Sequence, residues 1–282
     1  MKNTESLRLQ GVEESSTLAM AALAREYKAK GVDVISLSLG EPDFKTPTNI
    51  CEGAKEAIDS GKYFSYPPVP GYLDFREAIS EKFKNENGLN YSPSEIIVSN
   101  GVKHSITNVM FSILNPGDEV IVFAPFWVSY SAIISLADGI PKYINTTIKN
   151  DFKPTNDQLQ EAISTKTKAI IFSSPCNPTG TVFTKEELEG YRNILVNHPD
   201  IYVISDEIYE HINFTDEHAS FGSLEGMNDR TITMNGFSKG FAMTGWRLGY
   251  IGAPAKIAKS INKMQGQTTS ANCSIAQRAG LT

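Results

Sequence analysis

The sequence predicts an α/β fold: a three-layer sandwich in which helices cover both faces of a mostly parallel β-sheet. Short β-rich runs alternate with helical stretches along the chain, the order expected of parallel strands joined by crossover helices. Most of these runs are continuously apolar, because a strand inside a parallel sheet is buried on both faces. The predicted strands cover residues 96–99, 119–123, 169–173, 202–205, 231–234 and 247–251.

Helix signals lie between the predicted strands. Residues 102–114 repeat apolar side chains at helical spacing, among them Ile106, Val109, Met110 and Ile113, and this apolar face predicts packing against a sheet. The pairs at 155/158 and 184/187 combine a Thr with a Gln or Glu. That spacing is typical of a capping box, so each pair predicts the start of a helix.

The front of the chain differs from the rest. Its pattern predicts a helix over 17–30 that ends at Gly31, then a strand over 34–39 and a turn at 40–43. We therefore expect a boundary near residues 45–50. It would assign residues 1–48 to a small domain and residues 49–282 to a large one.

Composition excludes several classes of protein. The 282 residues are 40% hydrophobic and 21% charged, with a net charge of −6, which argues against collagen-like, coiled-coil and disordered chains. An acidic chain gains nothing electrostatically from nucleic acid or an anionic membrane, so neither is an expected partner. No apolar run reaches 18 residues and no apolar signal segment precedes Ser16. We therefore expect a cytoplasmic protein that does not span a membrane.

The cysteines and histidines are dispersed along the sequence. Cys51, Cys176 and Cys273 lie far apart, and this odd number predicts reduced thiols rather than a disulfide framework. The four histidines show no ligand spacing. We predict no metal site.

Ligands of open α/β sheets bind at the carboxyl ends of the strands, and five predicted strand ends carry polar or charged residues. The stretch from Asn100 to Lys103 opens a helix, and the free N–H groups of a helix start favour an anion. Trp127 lies just beyond the second strand. It is either a core or interface aromatic or a stacking face for a planar ligand.

The other three strand ends supply an amide, a carboxylate and a cation. Asn177 stands in a proline-bordered turn and is either a turn residue or a rigidly aimed amide. Asp206 either caps the next helix or meets a cation. Lys239, with Arg247 eight residues on, is either a surface charge or a catalyst. One ligand would use all five strand ends: a planar, phosphorylated, basic heteroaromatic aldehyde.

Seven motifs in order carry a resemblance to a known family. The chain resembles the pyridoxal 5'-phosphate (PLP)-dependent aminotransferases of fold type I, classes I and II, and is most similar to the prokaryotic aspartate aminotransferase-like subgroup. The motifs are Ser-Leu-Gly-Glu-Pro-Asp-Phe at 38–44, Tyr-Pro-Pro-Val-Pro-Gly at 66–71, Ser-Asn-Gly at 99–101, Pro-Phe-Trp-Val-Ser-Tyr at 125–130, Cys-Asn-Pro-Thr-Gly at 176–180, Asp-Glu-Ile-Tyr at 206–209, and Ser-Lys at 238–239 with Gly-Trp-Arg-Leu-Gly-Tyr at 245–250.

The resemblance implies roles for these positions. Lys239 matches the lysine that binds PLP covalently and moves the substrate proton. Asp206 matches the carboxylate beside the pyridine nitrogen, which keeps that nitrogen protonated. Tyr209 and Asn177 match the pair that hydrogen-bond the ring hydroxyl oxygen. Trp127 matches the aromatic residue that stacks on the ring.

The phosphate and the substrate are also assigned by the resemblance. Arg247, Ser238 and the amides of Gly101, Val102 and Lys103 would hold the phosphate. Tyr66 would reach the phosphate of a second subunit, which implies a homodimer with shared active sites. Gly40, together with Trp127 and Asn177, would contact the substrate.

The resemblance predicts transamination between an amino acid, aspartate or a similar one, and a 2-oxo acid. It also implies a further C-terminal stretch that completes the small domain and carries the arginine that binds the substrate α-carboxylate, so we expect an essentially complete PLP-binding domain and only the N-terminal part of the small domain. Two alternatives stay open: a β-lyase or decarboxylase of the same fold, or a non-catalytic PLP-binding module. A nucleotide-binding Rossmann enzyme is disfavoured, because no G-x-G-x-x-G follows a predicted strand.

Overall fold

The computed structural model describes residues 4–215 and 217–282. Helices and strands alternate over most of the chain, as the sequence predicts. In order they are α1 Leu7–Gln10, α2 Ser16–Ala29, α3 Thr48–Asp59, α4 Leu73–Asn87, β1 Ile96–Ser99, α5 Val102–Ile113, β2 Glu119–Ala124, α6 Ser129–Leu136, β3 Ile140–Asn145, α7 Asn156–Ala162, β4 Thr167–Ser173, α8 Lys185–Leu195, β5 Tyr202–Asp206, β6 Thr231–Gly236, β7 Gly249–Gly252, α9 Ala255–Thr268 and α10 Ser274–Leu281.

The strands of the described residues form one seven-stranded sheet in the order β1-β7-β6-β5-β4-β2-β3. The five strands from β6 to β3 in that order are mutually parallel. Only β7 runs antiparallel to its neighbours, β6 and β1. The predicted α/β class and mostly parallel sheet are therefore confirmed.

Helices cover both faces of the sheet, which gives three layers. Along β2, Val120 and Val122 face a cluster formed with α5, α6 and α9, whereas Ile121 and Phe123 face a cluster formed with α7 and α8. At the β1 end, the second face is covered by α3, α4 and α10. Successive strand residues point to opposite faces, so continuous apolar runs are required here.

All six strands predicted between residues 96 and 251 are present, and the structure adds one. β3 has no counterpart in the prediction, because this outer strand contains Pro141 and Lys142 and is only partly buried. A proline is tolerated at a sheet edge, where one side of the strand needs no ladder hydrogen bonds. β7 begins at Gly249 rather than at Arg247, because Arg247 adopts a left-handed conformation with φ of 57°.

The strand predicted over 34–39 is wrong. Within the described part of the chain this segment is not paired with a strand, and Ile35 and Leu37 are 86% and 91% exposed. Its alternating apolar residues resemble one buried strand face, but a strand needs a neighbour to accept its backbone hydrogen bonds.

The predicted helix starts are correct. Thr155 and Thr184 each form a reciprocal capping box, with Gln158 and Glu187 respectively. The helix predicted over 17–30 is α2, and Gly31 follows it with φ of 81°. α3 begins at Thr48, inside the range predicted for a domain boundary; the division into two domains itself stays a prediction. None of the helices in the described ranges is both long and apolar enough to cross a membrane.

Candidate active site

A cavity of about 620 Å³ opens at the carboxyl ends of the strands. Its walls come from strand ends far apart in sequence, because a parallel sheet brings those ends to one edge. Residues of the segments 15–18 and 37–40 also line it. The predicted site residues that line it are Gly40, Val102, Lys103, Trp127, Asn177, Asp206, Tyr209, Ser238, Lys239 and Arg247.

Asp206 forms the floor of the cavity at the end of β5, and it is only 3% exposed. Its carboxylate accepts a hydrogen bond from the Tyr130 hydroxyl at 2.7 Å and one from the Ile208 backbone N–H at 3.3 Å. Burial raises the pKa of Asp206 to about 6, although both hydrogen bonds act in the opposite direction. The site therefore contains a buried carboxylate whose charge is only partly compensated.

Lys239 follows β6 and points into the same cavity. Its ammonium donates a hydrogen bond to the carbonyl oxygen of Gly40 and lies 5.6 Å from the centre of the Tyr209 ring. Burial lowers the pKa of Lys239, and the nearby positive charge of Arg247 lowers it further, whereas Glu41 and Asp206 raise it. The environment thus makes the neutral amine, which is the nucleophilic form, easier to reach than for a lysine in water.

Asn177, Tyr209 and Trp127 stand around the floor of the cavity. The Asn177 amide donates to the Tyr209 hydroxyl at 3.4 Å, so one polar pair projects from two different loops. Trp127 packs edge-to-face against Tyr130, with ring centres 5.6 Å apart. Phe126 stacks on Tyr143, with ring centres 5.2 Å apart, rather than on Trp127 or Tyr130. This contact stabilises the loop that carries Trp127.

Arg247 lies against the start of α5. Its Nη1 donates to the carbonyl oxygen of Thr244 at 2.8 Å, and its Nη2 donates to that of Asn100 at 3.2 Å. Gly101 is required beneath it, because a Cβ there would lie 2.4 Å from Nη2 and φ is 81°. We call Gly101, Val102, Lys103, Ser238 and Arg247 the cationic cup. The free N–H groups of the α5 start and the Arg247 guanidinium suit an anion.

The side chain of Lys103 adds a feature that the prediction lacked. The resemblance assigned its backbone amide to the phosphate, whereas its ammonium lies 4.9 Å from the centre of the Trp127 ring. Burial lowers the pKa of Lys103, and the positive charge of Arg247 lowers it further. The ammonium adds a third cation to the cavity, after those of Lys239 and Arg247.

Tyr66 does not join the other predicted residues. Its side chain is 95% exposed and does not line the cavity of its own chain. This position fits a residue that serves a second copy, the role which the resemblance implies. Neither that role nor the dimer is tested by a single chain.

Tyr130 was missed by the sequence analysis as a site residue. It is buried at the first turn of α6 and donates to Asp206. A signal existed, because Tyr130 is three residues after Trp127, a spacing that places both side chains on one side of a helical turn. Ser15 and Thr17, at the start of α2, also line the cavity.

The histidines are less dispersed in space than in sequence. His218 Nε2 lies 3.1 Å from the buried carboxylate of Glu207, and Glu210 is close to both. Burial lowers the pKa of His218, but its hydrogen bond to Glu207 and the charge of Glu210 outweigh burial and raise it overall. These groups do not line the cavity, and the absence of a metal from this protein stays a prediction.

The family model "Aminotransferase class I and II" matches residues 32–282. The chain belongs to the class I and II aminotransferases. The resemblance seen in the sequence is thereby confirmed.

This aminotransferase is similar to curated proteins along nearly all of its length. It is 45% identical to the aspartate/prephenate aminotransferase of Cereibacter sphaeroides, covering 96% of this chain and 68% of that protein. It is 47% identical to the bifunctional aspartate aminotransferase and glutamate/aspartate-prephenate aminotransferase of Petunia hybrida, covering 98% of this chain but 58% of that protein.

Solved structures share the fold. The aspartate aminotransferase of Thermus thermophilus with maleate superimposes with a TM-score of 0.95 at 42% identity, covering 99% of this chain and 72% of that one. An aromatic aminotransferase from Pyrococcus horikoshii superimposes with a TM-score of 0.85, also at 42% identity, over 94% of this chain and 69% of that one.

Class I and II aminotransferases use PLP, and the donor set of this aminotransferase fits that cofactor. Asp206 is a buried carboxylate whose pKa is raised by that burial, and a protonated ring nitrogen would supply a positive charge that offsets it. The backbone around the cationic cup leaves no room for a side chain at two glycines. A Cβ at Gly101 would clash with Arg247, and a Cβ at Gly249 would lie 2.6 Å from the backbone nitrogen of Val102. Lys239 supplies the amine between these two regions.

Proposed function

We propose that this chain catalyses PLP-dependent transamination between an amino acid, aspartate or a similar one, and a 2-oxo acid. One observation carries the proposal: Lys239, Asp206 and Arg247, from three different strand ends, line one cavity. Family membership supports it, because the curated relatives are named for aspartate and prephenate transamination.

The cofactor would be held at three points. Lys239 would bind it covalently, and Asp206 would pair with the ring nitrogen. The cationic cup would take the phosphate, with Arg247 as the bidentate donor. Trp127 would stack on the ring, while Asn177 and Tyr209 would meet its hydroxyl oxygen.

When bound, PLP supplies a ring that takes up the electron pair left on the substrate α-carbon. The protein supplies the proton transfers. Lys239 would accept the substrate proton and return it, and the lowered pKa of its amine makes the neutral, proton-accepting form easier to reach. Gly40 keeps its carbonyl oxygen within hydrogen-bond reach of that amine, which holds the amine over the floor of the cavity.

The charges of the cavity favour an acidic substrate. Lys103, Lys239 and Arg247 line it, against one carboxylate at its floor, Asp206. Two of these cations would be engaged by the cofactor. The ammonium of Lys103, set on Trp127, would remain to attract a side-chain carboxylate. Higher kcat/KM for aspartate and glutamate than for phenylalanine would support this specificity, and the reverse order would contradict it.

We further propose that the protein works as a homodimer in which Tyr66 completes the phosphate site of the partner. Its exposure in the single chain supports this arrangement. The cytoplasmic location expected from the sequence stays a prediction.

Borohydride reduction of the PLP-loaded protein, followed by peptide mapping, tests the assignment of the lysine. Reduction fixes the cofactor on the amine that holds it, and the label is expected on Lys239. A Lys239→Ala variant is the control and should acquire no label. A label at any other lysine would overturn the assignment.

The reaction type is tested by following the products. Transamination requires a 2-oxo acid and releases neither ammonia nor CO2, whereas a β-lyase releases ammonia and a decarboxylase releases CO2. Amino transfer that depends on the oxo acid is therefore the expected result. Product release without an oxo acid would favour the alternatives.

A further inference from the structure

A buried amide joins the two sides of the cationic cup. Asn272, in the connection between α9 and α10, is 1% exposed. Its Nδ2 lies 3.1 Å from the carbonyl oxygen of Ser99, 2.8 Å from that of Arg247 and 2.8 Å from Oδ1 of Asn100. The two amide protons thus have three close acceptors, which lie on the two segments that form the cup, Ser99–Asn100 and Arg247.

The Asn272 amide lies where the pairing of β1 with β7 ends. Ser99 pairs with Gly249 in the β1–β7 ladder, and the cup begins where that ladder stops. Beyond the last pair, backbone hydrogen bonds no longer hold Asn100 and Arg247 together, and Arg247 has the left-handed φ of 57°. The Asn272 side chain replaces the missing ladder bonds at this point.

Two buried glutamines hold Asn272 and the end of β1 in place. Gln277 donates from Nε2 to the Asn272 carbonyl oxygen at 3.0 Å, and its Oε1 accepts from the Tyr72 backbone N–H at 2.9 Å. Gln265 accepts from the Ser99 hydroxyl at 2.9 Å and donates to the Val98 carbonyl oxygen at 2.9 Å. Both glutamines are fully buried.

A second link reaches the start of α5. His104 Nδ1 accepts from the backbone N–H of Asn100 at 3.1 Å, and its Nε2 lies 3.2 Å from the hydroxyl of Thr269. Asn100 is therefore fixed through its N–H, its side-chain oxygen and its carbonyl oxygen. All three bonds hold the turn whose next residue, Gly101, contacts the Arg247 guanidinium.

We propose that Asn272 is a positioning residue for the cofactor phosphate: its amide sets the spacing between the Asn100–Lys103 turn and Arg247. The proposal rests on the proposed function, since the phosphate is that of PLP. Asn272 contributes no group to the cavity wall. Its effect is confined to the phosphate end, whereas Lys239 and Asp206 lie on other strand ends and keep their geometry without it.

The test compares two ligands that differ only in the phosphate. Cofactor-free wild type and Asn272→Ala are titrated with PLP and with pyridoxal, followed by the quenching of tryptophan fluorescence. The variant is expected to lose about tenfold in affinity for PLP, the usual effect of losing a buried hydrogen bond. Its affinity for pyridoxal should stay the same. The ratio of the two affinities therefore measures the phosphate contribution alone.

Asn87→Ala is the matched control. Asn87 is also buried, and its Nδ2 also meets three acceptors, on Glu207, Glu210 and Ser220, but it lies away from the cavity. Its removal should lower the midpoint of thermal unfolding, as removal of Asn272 also should, and leave the affinity ratio at the wild-type value. An equal fall of the ratio in both variants would overturn the proposal, because general loosening would then be the cause.

Asn100→Ala covers the case in which Asn272→Ala does not fold. It removes one of the three acceptors from a half-buried residue and should lower the ratio about threefold. An unchanged ratio in either variant would overturn the proposal while leaving the proposed function intact. A wild type that binds no PLP would instead overturn the proposed function, and this inference with it.

Discussion

At the scale of single residues, the buried carboxylate of Asp206 destabilises the fold but lies where the proposed reaction needs a negative charge. Asp206 is buried and its pKa is about 6, above the ordinary 3.8. A carboxyl group with a raised pKa stabilises the fold fully below its unfolded pKa, and that stability is lost as the pH rises through the folded pKa. In the absence of the cofactor, the cost at pH 7 is about 3 kcal/mol.

Asp206→Asn is therefore expected to stabilise the cofactor-free protein while abolishing transamination. At pH 7 the free energy of unfolding should rise by up to about 3 kcal/mol, because a neutral amide replaces the buried charge. The gain should fade as the pH falls from 6 to 4. Urea denaturation over that range measures it, with Asp157→Asn, at an exposed position, as the control. A gain that does not change with pH would contradict the charge explanation.

Tyr130 keeps the pKa of Asp206 from rising further, because its hydroxyl donates to the charged form. Tyr130→Phe should therefore shift the acidic limb of the kcat/KM profile upward, by about one pH unit. Tyr191→Phe is the control, since Tyr191 is also buried and donates to the carbonyl oxygen of Pro154 instead. If both variants keep the wild-type acidic limb, Asp206 does not control it.

At the scale of elements, the cationic cup depends on how α5 begins. Gly101 precedes the helix with a positive φ and allows the Arg247 guanidinium to approach its backbone. The glycine satisfies two requirements at once, a left-handed conformation and the absence of a Cβ.

Gly101→Ala should separate these requirements when it is compared with Gly117→Ala. Both glycines have positive φ values, of 81° and 91°, but a Cβ at Gly117 would meet nothing within 4 Å. Both variants should lose about 1 kcal/mol of stability from backbone strain. Only Gly101→Ala should also lose PLP affinity, by about tenfold or more, as fluorescence titration would show. Equal affinity in the two variants would argue against a tight cup.

The elements also show what a sequence can predict and what it cannot. Strands buried on both faces have apolar runs, and they were predicted; β3, half-exposed and containing Pro141, has no such run. The strand ends predicted one cavity, because topology alone places them at one edge. Asn272 and Gln265 were not predicted, since a buried amide far away in sequence has no local pattern that reveals its partners.

At the scale of the whole molecule, apolar side chains are exposed on the segment that carries Tyr66. Ile58, Phe64 and Leu73 are all largely exposed in the single chain. Large apolar side chains exposed near Tyr66 in sequence are available for contact with a second copy, which supports the proposed dimer.

Mixing two defective variants tests whether Tyr66 acts across the dimer. Tyr66→Ala and Lys239→Ala should each have little activity. In a mixed dimer, the site with the intact Lys239 would receive an intact Tyr66 from the other subunit. After dissociation and reassociation, random pairing should restore about a quarter of the wild-type activity. No recovery, or a monomer by sedimentation, would contradict shared sites.

The position of β7 has a consequence for the order in which the chain becomes structured on the ribosome. Among the seven strands of the described sheet β7 is the last to be made, yet it lies between β6 and β1, so that Ile96 pairs with Gly252. β2 to β6 form a continuous set of paired strands that can associate before β7 is made, whereas β1 pairs with β7 and has to wait until Gly252 has emerged. We expect the pocket for the phosphate, built on β1 and β7, to be the last part of the sheet to appear during synthesis.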